Sequence, residues 1–280
     1  MKKIKYKIFT KSIGLVLNIL VHLNPKKAQL KVFQLFSTPR KGKLKLNELP
    51  KFLKNQVSQT IPFQNQTIQT YTWKGNHETI LLIHGWESNS SRWKKALPHL
   101  LKTGKTIVSI DAPAHGLTTG TEFTMLLYAD YIQAVVEKIN PNYVVAHSIG
   151  GAAINYNQFK NPNSNLKTMV LLGAPSEIKI IFENYFNLLS LNFKNRKLFK
   201  NYIENRFNID IDTFKGSDFA KQIETKTLVI HDKNDKIVLF DEGKKFENNF
   251  KNGTFIATEN LGHSLHNDEL YQTIIQFLEA

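Results

Sequence analysis

From about residue 56 onward, short apolar runs alternate with segments of helical periodicity, and this rhythm leaves the chain few folds to choose from. Residues 79–83, 106–110, 143–146, 168–172, 227–230 and 254–257 are β-branched or leucine-rich. Runs of this length and composition read as strands buried on both faces. Residues 67–73 alternate polar with apolar and read as an earlier antiparallel strand, with Asn65-Gln66 as the turn before it. Helical segments are predicted at 90–101, 124–139, 149–159, 241–249 and 265–278. Such alternation predicts an α/β class fold with a mostly parallel central sheet flanked by helices on both faces. No internal repeat or low-complexity linker interrupts it.

One interval breaks the pattern. Residues 176–226 hold no good strand, only helical pieces rich in Phe, Tyr, Asn and Lys. Because it falls between two strands, it reads as an insertion at a strand's carboxyl end, where insertions cover active sites. A helical lid is therefore expected. Phe182, Tyr185, Phe186, Phe193, Phe199, Tyr202 and Phe207 either line an apolar acyl pocket there or form the small core of the lid itself.

The net charge of +14 would suggest nucleic acid as a partner if it were spread over the chain. It is not. Residues 1–60 carry 14 of the 37 Lys and Arg and a single acidic residue, Glu48, so the rest is almost neutral. The body has no basic stripe with interleaved aromatics, and no nucleic-acid partner is expected. The basic residues belong to a helical extension, residues 1–45, ahead of a main domain at 46–280.

Within that extension, residues 13–23 are apolar but about half the roughly 20 residues needed to span a bilayer. They are followed by Asn24-Pro25-Lys26-Lys27 and not by a small-residue cleavage site, which disfavours a secretory signal. Lys7, Lys11, Gly14, Asn18 and His22 recur at helical spacing as one narrow polar stripe. After Pro25 a second helix is expected, with Ala28, Val32, Phe33, Leu35 and Phe36 inward and Lys27, Lys31 and Gln34 outward. The extension is read as amphipathic helices packed on the body with solvated lysines. The competing reading is peripheral contact of residues 1–36 with an anionic membrane surface. The expected location is the cytoplasm, with the membrane surface as the variant.

The chemistry centres on Ala146-His147-Ser148-Ile149-Gly150-Gly151-Ala152, which joins a strand to a helix. A sharp strand-to-helix turn lifts a serine hydroxyl above the sheet and sets a helix N-terminus beneath it. Ser148 is then a nucleophile that needs a base. In this arrangement the acid and then the base follow the serine in the chain. Of nine histidines, three qualify by order: His231, His263 and His266. His263, in Leu261-Gly262-His263-Ser264 after the last strand, is favoured. His231 precedes the acid candidates, and His266 lies a helical turn further on.

The acid is expected in the loop of residues 230–238. Asp235 is favoured over Asp232, which adjoins the strand and suits a turn-forming role, with Glu177 as a third choice. The oxyanion donors are expected to be the N–H of Ile149 and the N–H of Trp86, in the loop Ile83-His84-Gly85-Trp86 after an earlier strand. There is no cysteine, which excludes disulfides, thiolate metal sites and thiol catalysis. No metal or other cofactor is required.

Taken together, His84-Gly85-Trp86, Asp111-Ala112-Pro113-Ala114-His115-Gly116, the Ser148 segment, the Asp235 loop and Gly262-His263 resemble the α/β-hydrolase fold superfamily, in particular esterase-like members with a helical lid. The resemblance spans roughly residues 66–280. It implies a serine hydrolase acting on a carboxylic ester or related acyl bond of a small-molecule, apolar substrate. It also implies that Asp111–Gly116 is a structural loop beside the site, with His115 outside the chemistry. Ala146 stands where the usual pattern has glycine, a one-methyl departure at a close strand–helix approach. Serine at the elbow disfavours the superfamily's carboxylate-dependent epoxide hydrolases and dehalogenases. An acyltransferase, a thioesterase or a carbon–carbon bond hydrolase would use the same residues, and a non-catalytic binding protein could retain the same fold.

Overall fold

The computed structural model describes residues 2–280; Met1, the start of the expected extension, and the side chains of Lys2 and Lys3 lie outside the described residues. The main elements in chain order are α1 (Lys2–Leu23), α2 (Pro25–Ser37), β1 (Val57–Phe63), β2 (Gln66–Trp73), β3 (Thr79–Ile83), β4 (Thr106–Ile110), α3 (Met125–Ile139) and β5 (Tyr143–His147). They continue with α4 (Ile149–Lys160), β6 (Thr168–Leu172), α5 (Ile178–Leu189), α6 (Phe193–Phe207), β7 (Lys226–Asp232), β8 (Gly253–Thr258) and α7 (Asp268–Glu279). They form two compact units, one of residues 1–38 with 177–215 and the other of 39–176 with 216–280.

The larger unit is the α/β body. Among the described residues its sheet has eight strands in the order β1-β2-β4-β3-β5-β6-β7-β8. β1 and β2 pair antiparallel, as do β2 and β4; every later pairing is parallel. The central parallel strands are largely apolar because both faces are covered: every residue of β5 and β6 is buried, whereas the edge strand β8 has none buried. One face packs Leu82, Val145, Val170 and Ile230 with Leu270, Tyr271, Ile274 and Leu278 of α7. α3 starts at Thr124, whose hydroxyl caps Leu127 N–H at 3.1 Å, and α7 at Asn267, which caps Leu270 N–H at 2.9 Å.

Two local expectations are corrected. β1 is a strand that the pattern did not reveal, because as an edge strand it is mostly exposed and shows no apolar alternation. The β1–β2 turn falls at Gln64-Asn65, one residue earlier than expected, with Gln64 at φ +50°. The helix expected over 90–101 is broken into short 3-10 and α pieces, Ser90–Lys94 and Leu97–Leu100, with Pro98 in the latter.

The smaller unit is all helical, and it draws together two parts of the sequence that were read as separate, the N-terminal extension and the insertion. Phe182, Phe186, Phe199, Leu189 and Ile203 of the insertion share one apolar cluster with Leu17, Val32 and Phe33. Tyr185 donates its hydroxyl to Val32 O at 2.8 Å, and Tyr202 stacks at 4.9 Å from Phe33. Phe182, Phe186 and Phe199 are therefore core, not pocket lining, while Phe193 is 79% exposed. The N-terminal part of this unit ends at residue 38.

α1 is packed by an unusual face. Gly14 lies so close to the carboxyl end of α5 that a Cβ there would be 1.6 Å from Leu189 O. Lys11 Nζ donates to Asn187 O at 2.6 Å and to the Ser190 hydroxyl. Asn18 Nδ2 donates to Ser190 O at 2.9 Å, and Asn18 Oδ1 accepts from Asn192 N–H at 2.8 Å. A lysine against the last carbonyls of a helix complements its dipole. The middle of the polar stripe, Lys11, Gly14 and Asn18, thus faces protein, contrary to the expectation of solvated lysines, while Lys7 and His22 are exposed as expected. α2 follows its expected pattern, with Ala28, Val32 and Phe33 buried and Lys27, Lys31 and Gln34 exposed.

Candidate active site

The strand order reverses around β3, which lies between β4 and β5, so the connections leaving β3 and β5 diverge and open a crevice at their carboxyl ends. Loops after β3, β5, β6, β7 and β8 meet there. The loop after β5 is the tightest. Ser148 adopts φ +56° and ψ −129°, a strained conformation for a residue with a Cβ, and its N–H donates to Leu172 O at 2.8 Å.

The neighbouring glycines explain how the elbow fits. A Cβ at Gly150 would sit 2.4 Å from His84 O, and one at Gly151 would sit 2.7 Å from Ala174 Cβ. The first elbow position has no such conflict: Ala146 is fully buried with its methyl in place.

Ser148 Oγ lies 2.9 Å from His263 Nε2, and His263 Nδ1 lies 2.7 Å from Asp235 Oδ2. Since a carboxylate only accepts, Nδ1 carries the proton and Nε2 is left to accept from the serine. The other Asp235 oxygen accepts from Ile237 N–H at 2.8 Å and Val238 N–H at 3.0 Å. Burial of this side chain works against its charge. The hydrogen bonds from His263, Ile237 and Val238 outweigh burial and hold the carboxyl below the usual carboxylate range. Gly173 lies beside the His263–Asp235 pair: a Cβ there would be 3.5 Å from Asp235 Oδ2, His263 Nδ1 and Leu265 Cδ1.

The alternatives are occupied elsewhere. Asp232 accepts from Asn234 N–H at 2.9 Å, a local turn, and reaches across to Leu261 N–H at 3.0 Å and the Thr258 hydroxyl at 2.9 Å. His231 Nε2 donates to Val238 O at 2.9 Å. His266 Nδ1 pairs with the Tyr271 hydroxyl, and burial with the charges of Arg92 and Lys95 lowers its pKa to about 4. Glu177 lies in the helical unit, bridged to Lys215.

Trp86 follows Gly85, whose Cβ would be 2.9 Å from Ser148 Cβ. The Trp86 loop and the Ser148 turn are therefore in contact. Neither the Trp86 nor the Ile149 N–H has an acceptor among the described residues. His84, fully buried, donates from Nδ1 to Gly85 O at 2.7 Å and accepts from Ala112 N–H at 2.9 Å, which fixes the loop; burial lowers its pKa to about 4.

Asp111 lies behind this loop and organises it. It accepts from Ser90 N–H and Oγ, both at 2.8 Å, from Leu117 N–H at 3.0 Å and from the Tyr71 hydroxyl at 3.2 Å. His115 accepts from Glu87 N–H at 2.9 Å and donates to Pro113 O at 2.8 Å, a structural role.

Two side chains at the site carried no signal in the sequence. His147, buried beside the serine, donates from Nε2 to His263 O at 2.7 Å. Burial, with the nearby Arg92 and His263, pushes its pKa well below the ordinary histidine value, so it is neutral. Arg92 donates to Ser264 O at 2.6 Å, and burial lowers its pKa to about 10. With Asp232 on Leu261, these groups hold the His263 loop at three successive points. A histidine before the serine was visible, but its carbonyl partner 116 positions away was not. Among the described residues, no group of three or more His, Cys, Asp or Glu is arranged to hold a metal ion.

Comparison with known proteins gives a consistent result. Residues 80–270 match the model of a family described as the alpha/beta hydrolase family. A bifunctional esterase/perhydrolase of Acinetobacter calcoaceticus is 27% identical over 241 residues, which cover 68% of this chain and 86% of that protein. An esterase from Exiguobacterium antarcticum superposes with a TM-score of 0.63 at 16% identity, covering 80% of this chain and 100% of the other. A meta-cleavage product hydrolase from Pseudomonas fluorescens gives 0.60 at 14% identity, covering 79% and 97%. At such identities the structural matches speak for the fold alone.

Proposed function

We propose that this chain, which belongs to the alpha/beta hydrolase family, is a serine hydrolase that cleaves a carboxylic ester through an acyl-enzyme. The observation that carries this is the unbroken hydrogen-bonded series from Ser148 Oγ through His263 to Asp235, at 2.9 Å and 2.7 Å. Ser148 Oγ attacks the ester carbonyl carbon while His263 Nε2 takes its proton. Asp235 holds the ring in the tautomer that can accept this proton and stabilises the imidazolium. The oxyanion accepts from the Trp86 and Ile149 N–H groups, which have no other acceptor among the described residues. Collapse expels the alcohol, protonated by His263. Water, deprotonated by His263, then attacks the acyl carbon and frees Ser148.

The apolar preference is supported by side chains around these atoms. Trp86 packs at 5.1 Å from Phe123, and Ile237 and Leu239, on the loop that carries Asp235, are exposed. Esters are preferred over thioesters, carbon–carbon bonds and transfer to alcohols because the Acinetobacter relative is named an esterase. That name also includes perhydrolysis, in which hydrogen peroxide replaces water as the acyl acceptor, so peroxide belongs in the assay.

The test is Ser148→Ala, assayed on a series of acyl esters and thioesters with and without alcohol or peroxide. Turnover is expected to fall roughly 10⁴–10⁶-fold with the fold intact. A fluorophosphonate probe should label the parent at Ser148 and not the variant. Full activity in a well-folded Ser148→Ala protein would overturn the assignment.

A further inference from the structure

We infer that the outward face of α1 is a docking surface for an anionic lipid bilayer. In an ordinary surface helix the apolar side packs inward and the polar side meets water. Here the only apolar side chains that α1 buries are Leu17 and Val21, together with Gly14, while Lys11 and Asn18 beside them are turned toward the α5–α6 turn, where carbonyl and hydroxyl groups satisfy them. The opposite arc of the helix carries Ile4, Ile8, Leu15, Val16, Ile19 and Leu23, each more than half exposed. At 100° per residue these six share one side of α1. Scattered exposed apolar residues need no explanation, but a continuous stripe of them on one helix marks an interaction site.

Charge selects the occupant. Residues 1–38 contain eight lysines and no acidic residue. Lys5 and Lys7 lie exposed toward one end of the apolar arc and Lys26 and Lys27 just beyond the other. A second copy of the chain would meet this face with the same positive charge. An anionic bilayer supplies both the apolar medium and the opposite charge, the pair of contributions an interfacial helix uses. No helix among the described residues is long and apolar enough to cross a membrane. The lysines in the first half of α1 suit a helix lying in the plane of the interface, with their stems along the surface and their heads at the lipid phosphates.

The experiment is sedimentation of the full chain with vesicles of phosphatidylcholine, alone or mixed with phosphatidylglycerol. Binding is expected to the mixed vesicles, weakening as salt rises. The pair Leu15→Glu and Ile19→Glu is expected to reduce binding at least about tenfold, and the trio Lys5→Glu, Lys26→Glu and Lys27→Glu by a similar factor. Melting temperature should change little in both, because these side chains are largely exposed. Equal binding to neutral vesicles, no binding at all, or a dimer in light scattering that the Leu15→Glu and Ile19→Glu pair dissolves would each overturn the proposal. None of these readouts depends on the hydrolase reading.

Discussion

Two terminal helices are used in different ways. α7 of the α/β body buries Leu270, Tyr271, Ile274 and Leu278 and turns Glu269, Gln272 and Glu279 outward or to the edge. α1 of the helical unit turns Lys11 and Asn18 toward protein and leaves Ile8, Leu15 and Ile19 exposed. The body hides most of its apolar groups, which suits a site that depends on fixed geometry. The helical unit holds α1 through buried Leu17 and Val21 and hydrogen bonds at one turn, and leaves much of the rest of its apolar surface exposed. Amphipathic spacing therefore tells that a helix has two faces but not which face the protein takes.

The comparison can be sharpened by experiments of decreasing effect. Asp235→Asn should reduce turnover by roughly 10⁴-fold, since the amide favours the wrong imidazole tautomer, while vesicle binding is unaffected. If binding also fell, the two functions would not be separable. Next, Ile274→Ala should destabilise the α/β body by about 2–5 kcal/mol in urea unfolding, whereas Leu15→Ala should stay within about 0.5 kcal/mol. Equal costs would mean that both helices are packed through their apolar faces after all.

The smallest expected effect is on pH. His84, His115 and His266 are held at about 4 in the folded chain, chiefly by burial. The unfolded value is near 6.5, so between those limits the unfolded chain binds more protons. The stability of the body should be complete above about pH 6.5 and fall progressively as pH is lowered toward 4. The helical unit has no buried histidine among its described residues, and its unfolding should not share this slope. His115→Asn should flatten the body's profile; an unchanged slope would place the proton uptake elsewhere.

Much of the body was legible because its chemistry is local. A strand buried on both faces must be a continuous apolar run, so β3 to β7 could be read from residue type alone; β8, an edge strand with no buried residue, was read from its β-branched residues. Ser148, Asp235 and His263 each follow one of these strands, and chain order was enough to bring them together. β1 was hidden because an edge strand is under no pressure to alternate. The supports of the His263 loop were hidden for a different reason. His147, Arg92 and Asp232 act on backbone atoms of residues 263, 264 and 261, and a backbone acceptor leaves no trace in residue type. The direction of α1 was misread because its polar stripe was assumed to seek water, when carbonyls at the end of another helix satisfy it equally well.

The missing side chain at Gly14 has a mechanical consequence. With Leu189 O where a Cβ would stand, α1 meets the end of α5 along a notch only one residue wide. Burying the apolar arc instead would require α1 to roll about half a turn on its own axis, which would bring bulky side chains into that notch. The helix is keyed at Gly14 like a shaft in a slot. Its outward face is thus a fixed bearing and not one of several orientations sampled in solution.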